Sequence, residues 1–163
     1  MLYSLWDNKM FKLSKMTDYA IVCLGILSNQ SDKYLTASDV SRISGLNLTT
    51  VQKILKLLAS KSDLIKTMRG SNGGYKISRV PERVYIIEVI EALEGPISIT
   101  ACIEGTSQAC QSSNMCILEG NWNKVNEMIR NCFKKLSLFD LLYPNDFFKV
   151  YKNKKEVKKN LAV

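Results

Sequence analysis

Three cysteines in one polar stretch are the residues best able to do chemistry in this chain of 163 residues. Cys102, Cys110 and Cys116 are spaced C-x7-C-x5-C within C-I-E-G-T-S-Q-A-C-Q-S-S-N-M-C, and the chain has no histidine. A thiolate is a soft ligand and a nucleophile, so clustered thiols can bind a metal, hold an iron–sulfur cluster or respond to oxidants. An iron–sulfur cluster takes four protein ligands as a rule, which leaves one site to fill here, and without histidine the protein candidates are carboxylates. A zinc site is an alternative, but the short Cys-x-x-Cys or Cys-x4-Cys knuckles usual for zinc are absent. A thiol-only redox switch and three inert cysteines are the other readings. The inert reading suits buried structural cysteines better than three in one polar loop.

The remaining cysteines, Cys23 and Cys132, bring the count to five. An odd count, with no charged head and apolar stretch at the start, points to a reducing cytoplasm rather than a disulfide scaffold. No apolar run is long enough to span a bilayer. Charge is unevenly spread. Residues 10–79 carry eleven Lys and Arg against four Asp and Glu, residues 80–119 carry one against six, and the last eighteen carry six lysines against two acids. The chain therefore divides into an appendage at 1–9 (with Met10 an alternative start), a basic module at 10–80, a more acidic region at 81–143, and a basic tail at 144–163. A basic module of this kind suits a polyanionic partner.

Helical spacing of Ala20, Ile21, Cys23, Leu24 and Leu27 predicts a first helix over residues 17–29, with Cys23 a small core residue. Thr36 and Asp39 form a capping-box pattern for a second helix, whose buried side is assigned to Val40 and Ile43, and Gly45 ends it. Asn47 is a good N-cap for a third helix, in which Val51, Ile54, Leu55 and Leu58 face inward at i, i+3, i+4, i+7. Two short strands follow at 64–68 and 75–78 around R-G-S-N-G-G. A helix over 85–94 stops at Gly95 and Pro96. Beyond the cysteines a long helix resumes near Ile117, with Trp122, Val125, Ile129, Cys132, Phe133 and Leu136 on one stripe. That stripe reads as a core face or a dimer seam, with Cys132 packed. A short helix spans 138–142.

Helix, glycine turn, helix and a two-stranded ribbon make a winged helix-turn-helix, so the fold class is mainly α with a small β-wing and a long C-terminal dimerisation helix. The third helix can enter a major groove of double-stranded DNA. The candidate contacts are Asn47, Thr49, Thr50, Gln52, Lys53 and Lys56 on that helix, and Arg69, Ser71, Asn72 and Gly73 at the wing. Arg69 beside glycines can approach a narrow minor groove. Lys66, Lys76 and Arg79 are assigned to backbone phosphate, which makes affinity salt-dependent. The blander reading is a solvated helix face and an ordinary hairpin; the order of the signals over a basic module favours DNA. An enzyme is disfavoured by the lack of a histidine base, a phosphate loop or paired carboxylates.

K-L-S-K-M-T-D-Y-A at 12–20, T-M-R-G-S-N-G-G-Y at 67–75 and V-I-E-A-L-E-G at 89–95 resemble the Rrf-type winged-helix transcriptional regulators, which include IscR, NsrR and CymR. The likeness runs from about Met10 to Leu142 and is nearest the branch that regulates iron–sulfur assembly genes. The resemblance implies a homodimer on a roughly palindromic operator, with the C-terminal helix crossing to the partner. It implies a cluster, [2Fe-2S] or [4Fe-4S], on Cys102, Cys110 and Cys116. Asp18, reaching in from the partner chain, and Glu119 are the candidate fourth ligands, with a small ligand or thiol as a third option. It also implies a role as repressor, with sensing of nitric oxide or thiol oxidation as the alternative input. Two departures stand out: the first cysteine gap is longer than in IscR, and Glu119 occupies the position of an IscR histidine.

Overall fold

The computed structural model describes residues 13–70, 73–99 and 121–144. Its elements are α1 (Lys15–Asn29), α2 (Ala37–Ser44), α3 (Leu48–Lys61), β1 (Ile65–Met68), β2 (Gly74–Ile77), α4 (Ile86–Glu94), α5 (Asn121–Lys135) and α6 (Leu138–Leu142), with a 3-10 turn at Pro81–Arg83. The two strands pair antiparallel, Ile65 opposite Ile77 and Met68 opposite Gly74. Leu35 adds a single bridge to Tyr75 on the outer edge of β2. Among the described residues, no helix is long and apolar enough to cross a membrane.

Local chemistry fixes the helix ends. Ser14 caps α1 by accepting from the Thr17 amide. Thr36 and Asp39 close a reciprocal box at the start of α2, with both backbone-to-side-chain distances 3.1 Å, so Thr36 lies just outside the helix. Donation to the Asp39 carboxylate by the Thr36 hydroxyl, at 2.7 Å, and then by the Thr36 amide holds that carboxyl below its ordinary pKa. Gly45 takes a left-handed φ of 72°, which ends α2 and turns the chain into α3.

The main core is built from Ala20, Cys23, Leu24 and Leu27 of α1, the inward stripe of α3, and Leu64, Ile65 and Ile77 of the ribbon. Val84, Val89, Ala92 and Leu138 join the same cluster from the other side of residue 80. Cys23 is fully enclosed, and burial pushes its thiol up to about 11, so it stays protonated and inert. Ile43 departs from expectation. It is 44% exposed and lines a depression with Lys33 and Arg42, and the one residue that the eight-residue α2 buries is Val40.

A second cluster, Ile86, Ile87, Ile90 and Ile97, receives Ile129 and Phe133 of α5 and Leu136 just beyond its end. The Arg130 guanidinium reaches the Glu91 carboxylate at 2.7 Å and ties α5 to α4. As described, α5 has fifteen residues, no more than α1, so a helix longer than the others is not established. Its stripe is split. Trp122 and Val125 are exposed, and Cys132 is exposed rather than packed, because it faces away from the side that rests on α4.

Candidate nucleic-acid interface and cysteine segment

Four fully buried residues, Val51, Ile54, Leu55 and Leu58, seat α3 in the core and turn Gln52, Lys53 and Lys56 outward. Those three side chains are exposed and bonded to no described residue, so their donors are free to meet base edges and phosphates. Thr50 is half-buried beside them. Asn47 and Thr49 are engaged differently: Asn47 Oδ1 accepts from the Thr49 amide at 2.9 Å and from its hydroxyl at 2.6 Å. Their described bonds are those of an N-cap, which leaves the Asn47 amide nitrogen as their free donor.

The wing is made possible by its glycines. A Cβ on Gly73 would lie 2.3 Å from the Met68 carbonyl oxygen, and one on Gly74, at φ 157°, would lie 2.4 Å from that of Leu35. Neither position has room for a side chain, and the Gly73 amide closes the turn on the Gly70 carbonyl at 3.0 Å. This tight turn holds the adjacent Arg69 exposed, with no partner among the described residues. Ser71 and Asn72 lie outside the described residues.

At the root of the wing Lys66 and Lys76 stand directly opposite each other across the strands. Like charges so placed repel, and an anion between them would relieve the cost. Lys76 Nζ sits 5.9 Å from the centre of the Tyr34 ring, and both lysines line a cleft of about 320 Å³ with Ser28, Ser31 and Ser78. Arg79 does not join them as a free cation. Its guanidinium bonds to the Glu88 carboxylate, to Asp63 at 3.0 Å and to the Arg83 carbonyl at 3.2 Å. The phosphate role assigned to Arg79 from sequence is therefore corrected: Asp63 and Glu88, distant in sequence, neutralise it, and it pins the wing's exit to α4.

Cys102, Cys110, Cys116 and Glu119 lie outside the described residues. No group of three or more His, Cys, Asp or Glu that could hold a metal occurs among the described ones. Asp18 is described: it is exposed in the first turn of α1, and its carboxylate has no described partner. A free carboxylate of this kind fits the remaining ligand of a three-thiolate set.

Two residues missed from sequence organise the stem that leads into the cysteines. Glu94 accepts from the Ser14 amide at 3.1 Å and from the Thr17 hydroxyl. Burial raises its carboxyl pKa, but the Thr17 and Ser14 bonds outweigh that and hold it below the ordinary glutamate value. Asn126, 4% exposed, donates to the Ile97 carbonyl at 2.9 Å and accepts from the Ile99 amide at 3.3 Å. A signal for Asn126 was present: it is a polar residue at helical spacing among Trp122, Ile129 and Phe133.

The family model Rrf2, described as an iron-dependent transcriptional regulator, matches residues 13–144. The chain belongs to the Rrf2 family. Among Rrf2-type relatives, the HTH-type transcriptional regulator IscR of Xenorhabdus nematophila is 26% identical over 132 residues, covering 80% of this chain and 79% of that one. The HTH-type transcriptional regulator NsrR of Bacillus licheniformis is 26% identical over 136 residues, covering 83% and 94%. In fold, the chain matches T. potens IscR with a TM-score of 0.59 at 21% identity, over 82% of this chain and 88% of that one. CymR, the global cysteine regulator of B. subtilis, matches with a TM-score of 0.59 at 20% identity, over 81% and 96%. Rrf2-type proteins are transcriptional regulators and not enzymes.

Proposed function

We propose that this Rrf2 regulator is a cytoplasmic, homodimeric repressor that senses iron–sulfur status through Cys102, Cys110 and Cys116 and controls iron–sulfur assembly genes. The observation that carries the reading is the pairing of three clustered thiols with a winged module whose outward α3 and wing cations are unengaged. Thr50, Gln52, Lys53 and Lys56 read the major groove. Arg69, with Ser71, Asn72 and Gly73, approaches the minor groove, and Asn47 and Thr49 hold the helix end that faces phosphate. Lys66 and Lys76 hold backbone phosphate at the wing root.

Exposed Val125, Met128 and Cys132, at i, i+3 and i+7 on α5, support a seam to a second copy. Two copies set two recognition helices on a roughly palindromic operator. Asp18 of the partner chain, or Glu119, supplies the ligand beyond the three thiolates. A bound cluster supplies a redox-sensitive centre with one hard, labile ligand among soft ones. The chain's own part is to convert ligation into a fixed spacing of α3 against its copy, and it can do so only by favouring one arrangement over another. A coupling of about 1–3 kcal/mol corresponds to roughly 5- to 150-fold in operator affinity.

The test is iron and acid-labile sulfide content after oxygen-free isolation, followed by operator binding of loaded protein and of Cys110→Ala. Iron, sulfide and a difference in affinity are expected. Colourless protein whose affinity changes only on thiol oxidation would replace the reading with a metal-free switch.

A further inference from the structure

The cysteine segment leaves the described fold through a stem, residues 94–99, held at three points. At one end Glu94 of α4 binds the Ser14 amide and the Thr17 hydroxyl, at the start of the helix that carries Asp18. In the middle the Ile97 side chain is buried against Ile86, Ile87 and Ile90. Beyond it Asn126 bonds the Ile97 carbonyl and the Ile99 amide, as a neighbouring strand would. Cys102 follows only three residues after Ile99.

A buried amide at a helix position that Leu or Ile could fill is costly unless both its ends are paired. Here both are paired, and both partners are backbone atoms of the stem. An apolar residue could seat α5 on α4, but it could not fix the backbone of residues 97 and 99. We propose that Asn126 is a positioning residue for the cysteine segment, clamping its stem to α5 while Glu94 clamps it to α1. Ligation of the thiols is thereby referred to two helices at once. The inference rests on the cluster reading above. It adds that the hold on the cluster is set partly by a residue that is not one of its proposed ligands, in the way that outer-shell partners tune metal sites.

The experiment uses the full chain, isolated without oxygen, and follows iron release to a chelator by absorbance. Asn126→Ala is expected to release iron faster by about 10-fold, the low end of the effect of outer-shell partners on metal affinity. Its Ile99 amide should lose protection from hydrogen exchange, while amides of α3 keep theirs. Glu127→Ala, an exposed neighbour on the same helix, should match the wild type. Asn126→Asp guards against a general loosening: it keeps the acceptor for Ile99, loses the donor to Ile97, and should fall between the two. Release from Asn126→Ala at the wild-type rate would overturn the inference alone. A wild-type protein without iron or sulfide would overturn the cluster reading and this inference with it.

Discussion

Helices α3 and α5 are almost the same length, fourteen and fifteen residues, and both carry an apolar stripe, yet the chain treats them differently. On α3 every residue of the stripe is fully buried, and beyond Leu48 at its first position the exposed side chains are polar or cationic. On α5 the one buried residue is Asn126; Ile129 and Phe133 are half-covered, and Val125 and Met128 are exposed, Met128 by 72%. The fold completes α3 by itself and leaves α5 incomplete. The proposed roles fit this difference: a recognition helix must be rigid and polar outside, and a helix that packs on a second copy must keep apolar surface in reserve.

The largest effect expected of a single change lies in the finished helix. Leu55→Ala removes a fully enclosed side chain and should cost about 2–5 kcal/mol of stability, read by thermal or denaturant unfolding. Met128→Ala should leave single-chain stability nearly unchanged. If Met128→Ala proved as costly as Leu55→Ala, the contrast between the helices would collapse. Met128→Glu sharpens it from the other side. The chain should stay folded, sediment as one copy where the wild type sediments as two, and bind the operator at least about 10-fold more weakly, an effect of roughly 1.4 kcal/mol or more.

Within the interface the ranking is set by what each side chain is free to do. Arg69→Ala should weaken operator binding by about 1–3 kcal/mol and relax sequence preference at one position. Lys66→Ala should weaken binding to all sequences alike and make it less salt-dependent. Arg79→Ala should instead destabilise the fold and leave the salt dependence alone, since its charge is spent on Glu88 and Asp63. A salt slope reduced as much by Arg79→Ala as by Lys66→Ala would restore Arg79 to the phosphate-binding set. Asn47→Ala should cost about 1 kcal/mol through loss of the cap.

The features legible in the sequence were those governed by near neighbours. The caps at Thr36 and Asn47, the turn at Gly45 and the α3 stripe depend on residues within four positions, and each is found where the pattern placed it, with strand ends shifted by one residue. Features decided by distant residues were not legible. Nothing near Arg79 announces that Asp63 and Glu88 will converge on it, nor does the pattern around Ile43 reveal that α2 will bury Val40 alone. Cys132 and Ile129 share a stripe by spacing, and only the place of α4 decides which of them is covered. Asn126 was visible as an oddity, but its meaning required knowing that the chain folds back past it at Ile97 and Ile99.

Glu94 gives the smallest and most specific effect, and it sharpens the α5 side of the comparison, since it anchors the same stem as Asn126. Its carboxyl is held below the ordinary value of about 4.3, so the native state binds the proton less readily than the unfolded chain. The stability this contributes is present above that ordinary value and is lost as pH falls through the lower, folded one. Asp39 is depressed in the same sense by the Thr36 hydroxyl, so acid destabilisation of the wild type alone would not identify Glu94. The difference between wild type and Glu94→Gln does, because Asp39 contributes equally to both and cancels. Glutamine keeps an acceptor for the Ser14 amide and the Thr17 hydroxyl but cannot ionise. The two melting temperatures should therefore differ most well above the ordinary glutamate value and converge as pH falls through the lowered, folded one. Parallel melting curves across that range would show that the carboxylate charge does not help to hold the start of α1 against the stem.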